Sequence, residues 1–227
     1  MAYSIAFLVT TYNRERSCTK LIKEISKFGD VYVVIDGSEY QCNWIGDYPI
    51  YIFNQKHKGK QKYYETINTL FSLPRKEYDF YFMIPDDFLP VDGFVDKAIR
   101  TWNKIRNPKK ICLTTYLSKG REGVACWTDF KPIHYKGYWQ TQWTDMCFMC
   151  KSAFFKAVVK VPPIRHRWSK RPELSSGVGA WISRRLHGIG LCIYQVDKSL
   201  FVPQKESYKS QMNPWRKKTD PINIPVL

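Results

Sequence analysis

Residues 81–90 read YFMIPDDFLP: an apolar, aromatic run stops at two adjacent carboxylates, Asp86 and Asp87, with a proline three residues on. Two acids at the end of an otherwise apolar segment are either an incidental acidic turn or a holder for something cationic. Paired carboxylates suit a hard divalent cation such as Mg2+ or Mn2+, which takes oxygen ligands and often shares them with substrate phosphates. A metal there neutralises charge on a diphosphate leaving group. Other polar residues fit the same chemistry. Asp36, in DGS, can accept from a base or ribose, and Thr10, Thr11, Tyr12 and Arg14, in TTYNR, can hold a nucleoside and its phosphates. Lys58, Lys60 and Lys62 precede a helical pattern, where positive charge favours a diphosphate.

The elements that must position these residues alternate. A buried-strand pattern opens 3–15, and helical spacing of Leu21, Ile22, Ile25 and Phe28 marks 16–29, ending at Gly29. Strands are predicted at 30–38, 49–54, 78–84 and 109–116, and helices at 58–73 and 92–105. Alternating strand and helix implies an α/β fold, a mostly parallel, Rossmann-like sheet with helices on both faces. Ligands of such sheets bind beyond the carboxyl ends of the strands. TTYNR, DGS and PDD all follow strands, so the three clusters are expected on one edge. The second half is more irregular. Residues 117–143 read as long loops with short strands, 146–150 as a strand, 151–159 as a helix, and 162–177 as a basic, proline-bounded loop. A helix over 178–190 and a strand over 191–197 follow, then a tail at 213–227 that is basic and proline-rich.

A chain of 227 residues can build one good-sized domain, and 44% hydrophobic residues exclude a disordered chain. Thirty-six Lys and Arg against 20 Asp and Glu leave a net charge of +16, which attracts polyanions: nucleic acid, an anionic membrane surface or a phosphate-rich substrate. No apolar stretch approaches the roughly 18 residues of a membrane span, and MAYSIAFLV is too short for a signal peptide. Seven scattered cysteines fit a reducing, cytoplasmic setting with free thiols. Cys147-x-x-Cys150 lacks a second ligand pair or a helix start, so core cysteines on a strand are expected. His57, His134, His166 and His187 are too dispersed for a metal cluster, whereas Trp139 and Trp143, in a loop-rich region, could stack on a ligand.

The ordered set FLVTTYNR, VVIDGS, KGKQKYYETIN and YFMIPDDFLP resembles the nucleotide-sugar-binding half of family-2-like GT-A glycosyltransferases. The resemblance implies a single domain: a donor half (1–115), an acceptor-side half (116–212) and a tail (213–227). It implies that Thr10, Thr11, Tyr12 and Arg14 surround the nucleoside and that Asp36 contacts the base; the charge of Lys60 at a helix start makes it the candidate phosphate contact beside them. PDD takes the place of the acidic triplet called the DXD-type motif. Asp87 then stands for its last, metal-binding acid and Asp86 for the middle one, with Pro85 replacing the first. The implied cofactor is Mn2+ or Mg2+, and the implied donor a UDP-sugar. Residues 177–204 resemble the family's later helix–strand segment more weakly. No carboxylate opens that helix in Ser176–Ala180, where inverting members carry the general base, and Gln204 stands where many relatives carry a metal-binding His. Asp145, in QWTDMC, and then Glu173, in the basic loop, are the candidate replacements; a retaining enzyme needs neither.

Basic runs at 56–62, 104–110, 165–171 and 216–218 suggest an acceptor bound through phosphates, and Trp168 within one run could stack on or displace a base. The reading is a phage-type DNA glycosyltransferase acting on a 5-hydroxymethylpyrimidine extruded from double-stranded DNA. The alternatives are a transferase for surface polysaccharide or lipid-linked glycan, docking on anionic lipid through the same patches, and a nucleic-acid-binding module on a decayed transferase fold.

Overall fold

The computed structural model describes residues 3–37, 43–117, 130–144, 146–165, 167 and 176–204. The first half runs β1 (Ile5–Thr11), α1 (Glu15–Ile25), β2 (Asp30–Asp36), β3 (Ile50–Gln55), α2 (Tyr63–Ser72), β4 (Phe80–Pro85), β5 (Phe88–Pro90), α3 (Phe94–Lys104) and β6 (Lys110–Thr114). The second half adds β7 (Ile133–Tyr135), β8 (Tyr138–Thr141), β9 (Phe148–Cys150), α4 (Ala153–Val158), α5 (Val178–Gly188), β10 (Cys192–Val196) and β11 (Phe201–Pro203).

Nine strands form one sheet in the order β3-β2-β1-β4-β9-β6-β10-β8-β7. The block β3-β2-β1-β4 is parallel throughout, β9 runs antiparallel between β4 and β6, and β6 pairs parallel with β10. The hairpin β7–β8 closes the far edge against β10. Seven of the nine strands therefore point the same way, as the alternating pattern predicts.

Period-two side chains sort the core into two layers. Ile5, Phe7 and Val9, with Val31, Val33, Ile35, Phe80, Phe82 and Ile84, face α1 and α3. Ala6 and Leu8, with Tyr32, Val34, Tyr81 and Met83, face α2, α4 and α5. Helices thus cover both faces, and the central strands are buried along their length, as parallel strands must be. Cys112, Cys147 and Cys150 lie in this core as free thiols.

Three element ends differ from the sequence expectation. α1 stops at Ile25, not Gly29, because Gly29 packs on β1: a Cβ there would lie 2.3 Å from the Ile5 carbonyl oxygen. Phe28 therefore leaves the helix and sits half-exposed, edge-on to Phe94. Residues 60–62 form a 3-10 turn, and α2 begins only at Tyr63. Residues after PDD do not run straight into α3: β5 pairs antiparallel with β11 in a separate two-stranded ribbon.

Candidate active site

The ends of β2, β1 and β4 lie side by side on one edge, with Thr10 opposite Pro85 and Thr11 opposite Ile35. TTYNR, Asp36 and PDD therefore meet there. Asn13 takes the left-handed conformation (φ 49°), which Asn tolerates. Past this turn Arg14 opens α1 and reaches the end of β4.

One network joins the two loops. The Thr11 hydroxyl donates to Asp86 Oδ2 at 2.8 Å. A single guanidinium nitrogen of Arg14 lies 2.9 Å from Asp86 Oδ1 and 3.0 Å from Asp87 Oδ2. Both acids are buried. Burial pushes the Asp86 carboxyl up to about 6, against the opposing pull of Arg14 and Thr11. The turn is braced from β11: the Gln204 amide donates to the Asp87 carbonyl at 2.7 Å, and Gln204 Nε2 lies 2.9 Å from the Ser17 carbonyl and 3.3 Å from those of Asp86 and Phe88. Gln204 is therefore a buried brace, a role its position in the sequence did not disclose.

Asp36 is committed within the chain. It accepts from Gln55 Nε2 and the Lys58 amide, each at 2.8 Å, and from the Gly59 amide at 3.3 Å, and His57 Nδ1 approaches at 3.3 Å. Its carboxylate thus shapes the 57–59 loop, which the sequence reading did not foresee. That loop lays His57 flat on Tyr12, with centroids 4.2 Å apart and planes 14° from parallel. Thr10 shares a 3.2 Å hydroxyl contact with Tyr63, so the start of α2 meets the end of β1. Lys60 sits exposed in the 3-10 turn before α2. Lys58 is paired with Glu65 at 2.9 Å. No local signal marked His57, Gln55 or Tyr63, because their partners are 19 to 53 residues away.

A divalent cation was expected on the acid pair. Asp86 has both oxygens engaged, by Thr11 and Arg14. Asp87 has one oxygen on Arg14 and, among the described residues, no hydrogen bond to the other. Gln204 Oε1 is buried at the same turn without a partner. Among the described residues no three His, Cys, Asp or Glu side chains gather as a metal cage. This donor set fits an ion held by few protein oxygens and completed by phosphate, with Asp87 as the anchor.

Asp145 and Glu173 lie outside the described residues. The described neighbours of Asp145, Thr144 and Met146, lead into β9, whose first residue, Phe148, pairs with Met83 near the acid edge. No acid stands in the first turn of α5. Trp139 rests against His134 on the β7–β8 hairpin, with centroids 4.2 Å apart, and Trp143 is half-buried.

The two fully described basic runs lie at opposite edges of the sheet. Run 56–62 follows β3 and borders the acid edge, whereas 104–110 joins α3 to the start of β6 at the opposite edge. A seven-residue strand at about 3.3 Å per residue separates those edges by roughly 20 Å. Of 165–171, only Arg165 and Arg167 are described, and 216–218 lies outside the described residues.

No family model matches the chain, and no curated protein sequence does. Solved structures do. S. aureus TarS 1-349 superposes with a TM-score of 0.56 at 15% identity, over 91% of this chain and 62% of that one. The catalytic domain of Drosophila beta1,4galactosyltransferase 7, in complex with xylobiose, gives 0.52 at 13% identity, over 96% of this chain and 81% of its own. The fold is that of GT-A-like glycosyltransferase domains. The chain spans less than two thirds of the TarS fragment.

Proposed function

We propose that the chain is a glycosyltransferase that moves a sugar from a nucleoside-diphosphate donor, a UDP-sugar, to an acceptor hydroxyl. The observation that carries this reading is the single network of Thr11, Arg14, Asp86 and Asp87 across adjacent strand ends of a GT-A-like sheet. The Tyr12–His57 stack supplies a flat aromatic wall for a base, and Asp36 holds the loop that carries His57. Thr10 and Lys60 border the same edge. Asp87, with Asp86 behind it, would hold Mn2+ or Mg2+. When bound, that ion neutralises the leaving diphosphate. Asp145, or failing it Glu173, would take the acceptor proton in an inverting transfer.

The acceptor we propose is a 5-hydroxymethylpyrimidine in double-stranded DNA, supported by the net charge of +16 and by the lysines of 56–62 beside the site. The 104–110 run is left out of that footprint, since a straight duplex laid over the site edge does not reach the opposite one. A glycan acceptor is the second reading; it is favoured by the xylobiose bound to the Drosophila neighbour.

The test is a panel of UDP-sugars with Mn2+, with and without DNA carrying 5-hydroxymethylpyrimidines, read as UDP release and nucleoside mass. UDP release raised by modified DNA, with a sugar-sized mass gain on the base, supports the whole reading. Release indifferent to DNA moves the acceptor to glycans. No release with any donor, and no UDP binding that Asp87→Ala abolishes, overturns the transferase.

A further inference from the structure

We propose that Arg14 is an exchangeable counter-cation. It neutralises Asp86 and Asp87 in the free protein and turns to the donor's diphosphate when a divalent cation takes its place on Asp87. The inference rests on the donor reading above and adds a coupling between metal and donor that runs through one side chain.

The geometry points to Arg14 as the moving part. The acids are held from behind, Asp86 by the Thr11 hydroxyl and the 86–88 backbone by Gln204, and neither contact involves Arg14. Arg14 touches the pair through one nitrogen only. Its side chain is 23% exposed, and the rest of the guanidinium has no hydrogen bond among the described residues. A guanidinium anchored at one corner keeps a planar fork of donors matched to phosphate oxygens.

Charge sets the direction of exchange. Two carboxylates and one guanidinium leave the cluster at −1. Retaining Arg14 while adding a divalent ion would place two cations on one acid pair, at separations where their repulsion is strong away from bulk water. Metal and Arg14 therefore compete when no donor is present. A diphosphate removes the competition by offering Arg14 another anion. By linkage, metal and diphosphate each tighten the other's binding.

The experiment titrates Mn2+ into the full chain, with free Mn2+ read by electron paramagnetic resonance, in the absence and presence of UDP. For the native chain, UDP is expected to strengthen Mn2+ binding by roughly tenfold, the order of a typical coupling between two ligands. In Arg14→Ala, Mn2+ alone should bind more tightly than it binds the native chain without UDP, and the enhancement by UDP should shrink to what direct coordination of the ion by phosphate supplies. Arg14→Lys keeps the competing charge and should retain weak binding of Mn2+ alone. Because Arg14→Ala leaves two buried acids unpaired, its melting temperature should fall in EDTA and recover with Mn2+. Equal Mn2+ affinity for the native chain and Arg14→Ala without UDP overturns the exchange while leaving the donor reading intact. Absence of UDP binding to every variant, with or without Mn2+, overturns the donor reading as well, so the two failures are told apart.

Discussion

Asp86 is buried against an ion pair that does not fully offset the cost of its own charge, and Asp86→Asn measures that cost. The Asp86 carboxyl is pushed from 3.8 to about 6, with burial the largest cause. A raised carboxyl holds its proton in the folded state where the unfolded chain has already released it. The folded state therefore binds more protons between those two values, and stability falls as pH rises through that window. At about 1.4 kcal/mol per tenfold step, the full loss is about 3 kcal/mol, nearly complete by about pH 7 and small below about pH 3.5. Asn carries no charge; it keeps one oxygen to accept from Arg14, and its amide NH2 can donate to the Thr11 hydroxyl oxygen, so it mimics the protonated acid. Unfolding by urea, followed at pH 3.5 to 8 in EDTA, gives the difference between variant and native chain and cancels the titrating groups that do not interact with Asp86; Asp87, which shares Arg14 with it, stays in the difference. That difference should shift in favour of Asp86→Asn by about 3 kcal/mol between pH 3.5 and pH 8. A difference that does not change with pH refutes the reasoning. So does one that turns against the variant as pH rises: the first result means that the Arg14 and Thr11 contacts balance burial, the second that they outweigh it.

Three further outcomes test the scaffold around the site. Asn68 exchanges two 2.8 Å hydrogen bonds with the Val161 backbone, so Asn68→Ala should cost about 2 kcal/mol in urea unfolding, with no change in UDP affinity. Gly37 has φ +75°, and a Cβ there would lie 2.2 Å from the His57 Cβ; Gly37→Ala should lower stability by about 2 kcal/mol and weaken UDP binding, read by calorimetry, by displacing the loop that Asp36 holds. Burial pushes the Cys112 thiol up to about 12 and the Cys150 thiol well above its ordinary value, so mass mapping should find both unalkylated by iodoacetamide at pH 8 until the chain is unfolded.

The sequence by itself determined the strand–helix alternation, the burial of β1, β2 and β4, and the delivery of TTYNR, Asp36 and PDD to a common edge. These are local facts. Period-two burial and helical spacing are written in consecutive residues, and parallel strands joined by helices necessarily share a carboxyl edge. The tertiary structure decided what those residues touch once there. Arg14 reaches Asp86 across 72 residues of chain, and Gln204 reaches the carbonyl of Asp86 across 118. Asp36 read as a ligand-facing acid, yet its oxygens close on the amides of Lys58 and Gly59, a use set by the register of β2 against β3. The insertion of β9 between β4 and β6, the β5–β11 ribbon and the separation of the 56–62 and 104–110 runs to opposite edges depend equally on which strands pair. Strand pairing is chosen by contacts between segments far apart in the chain, and composition and periodicity carry no record of it.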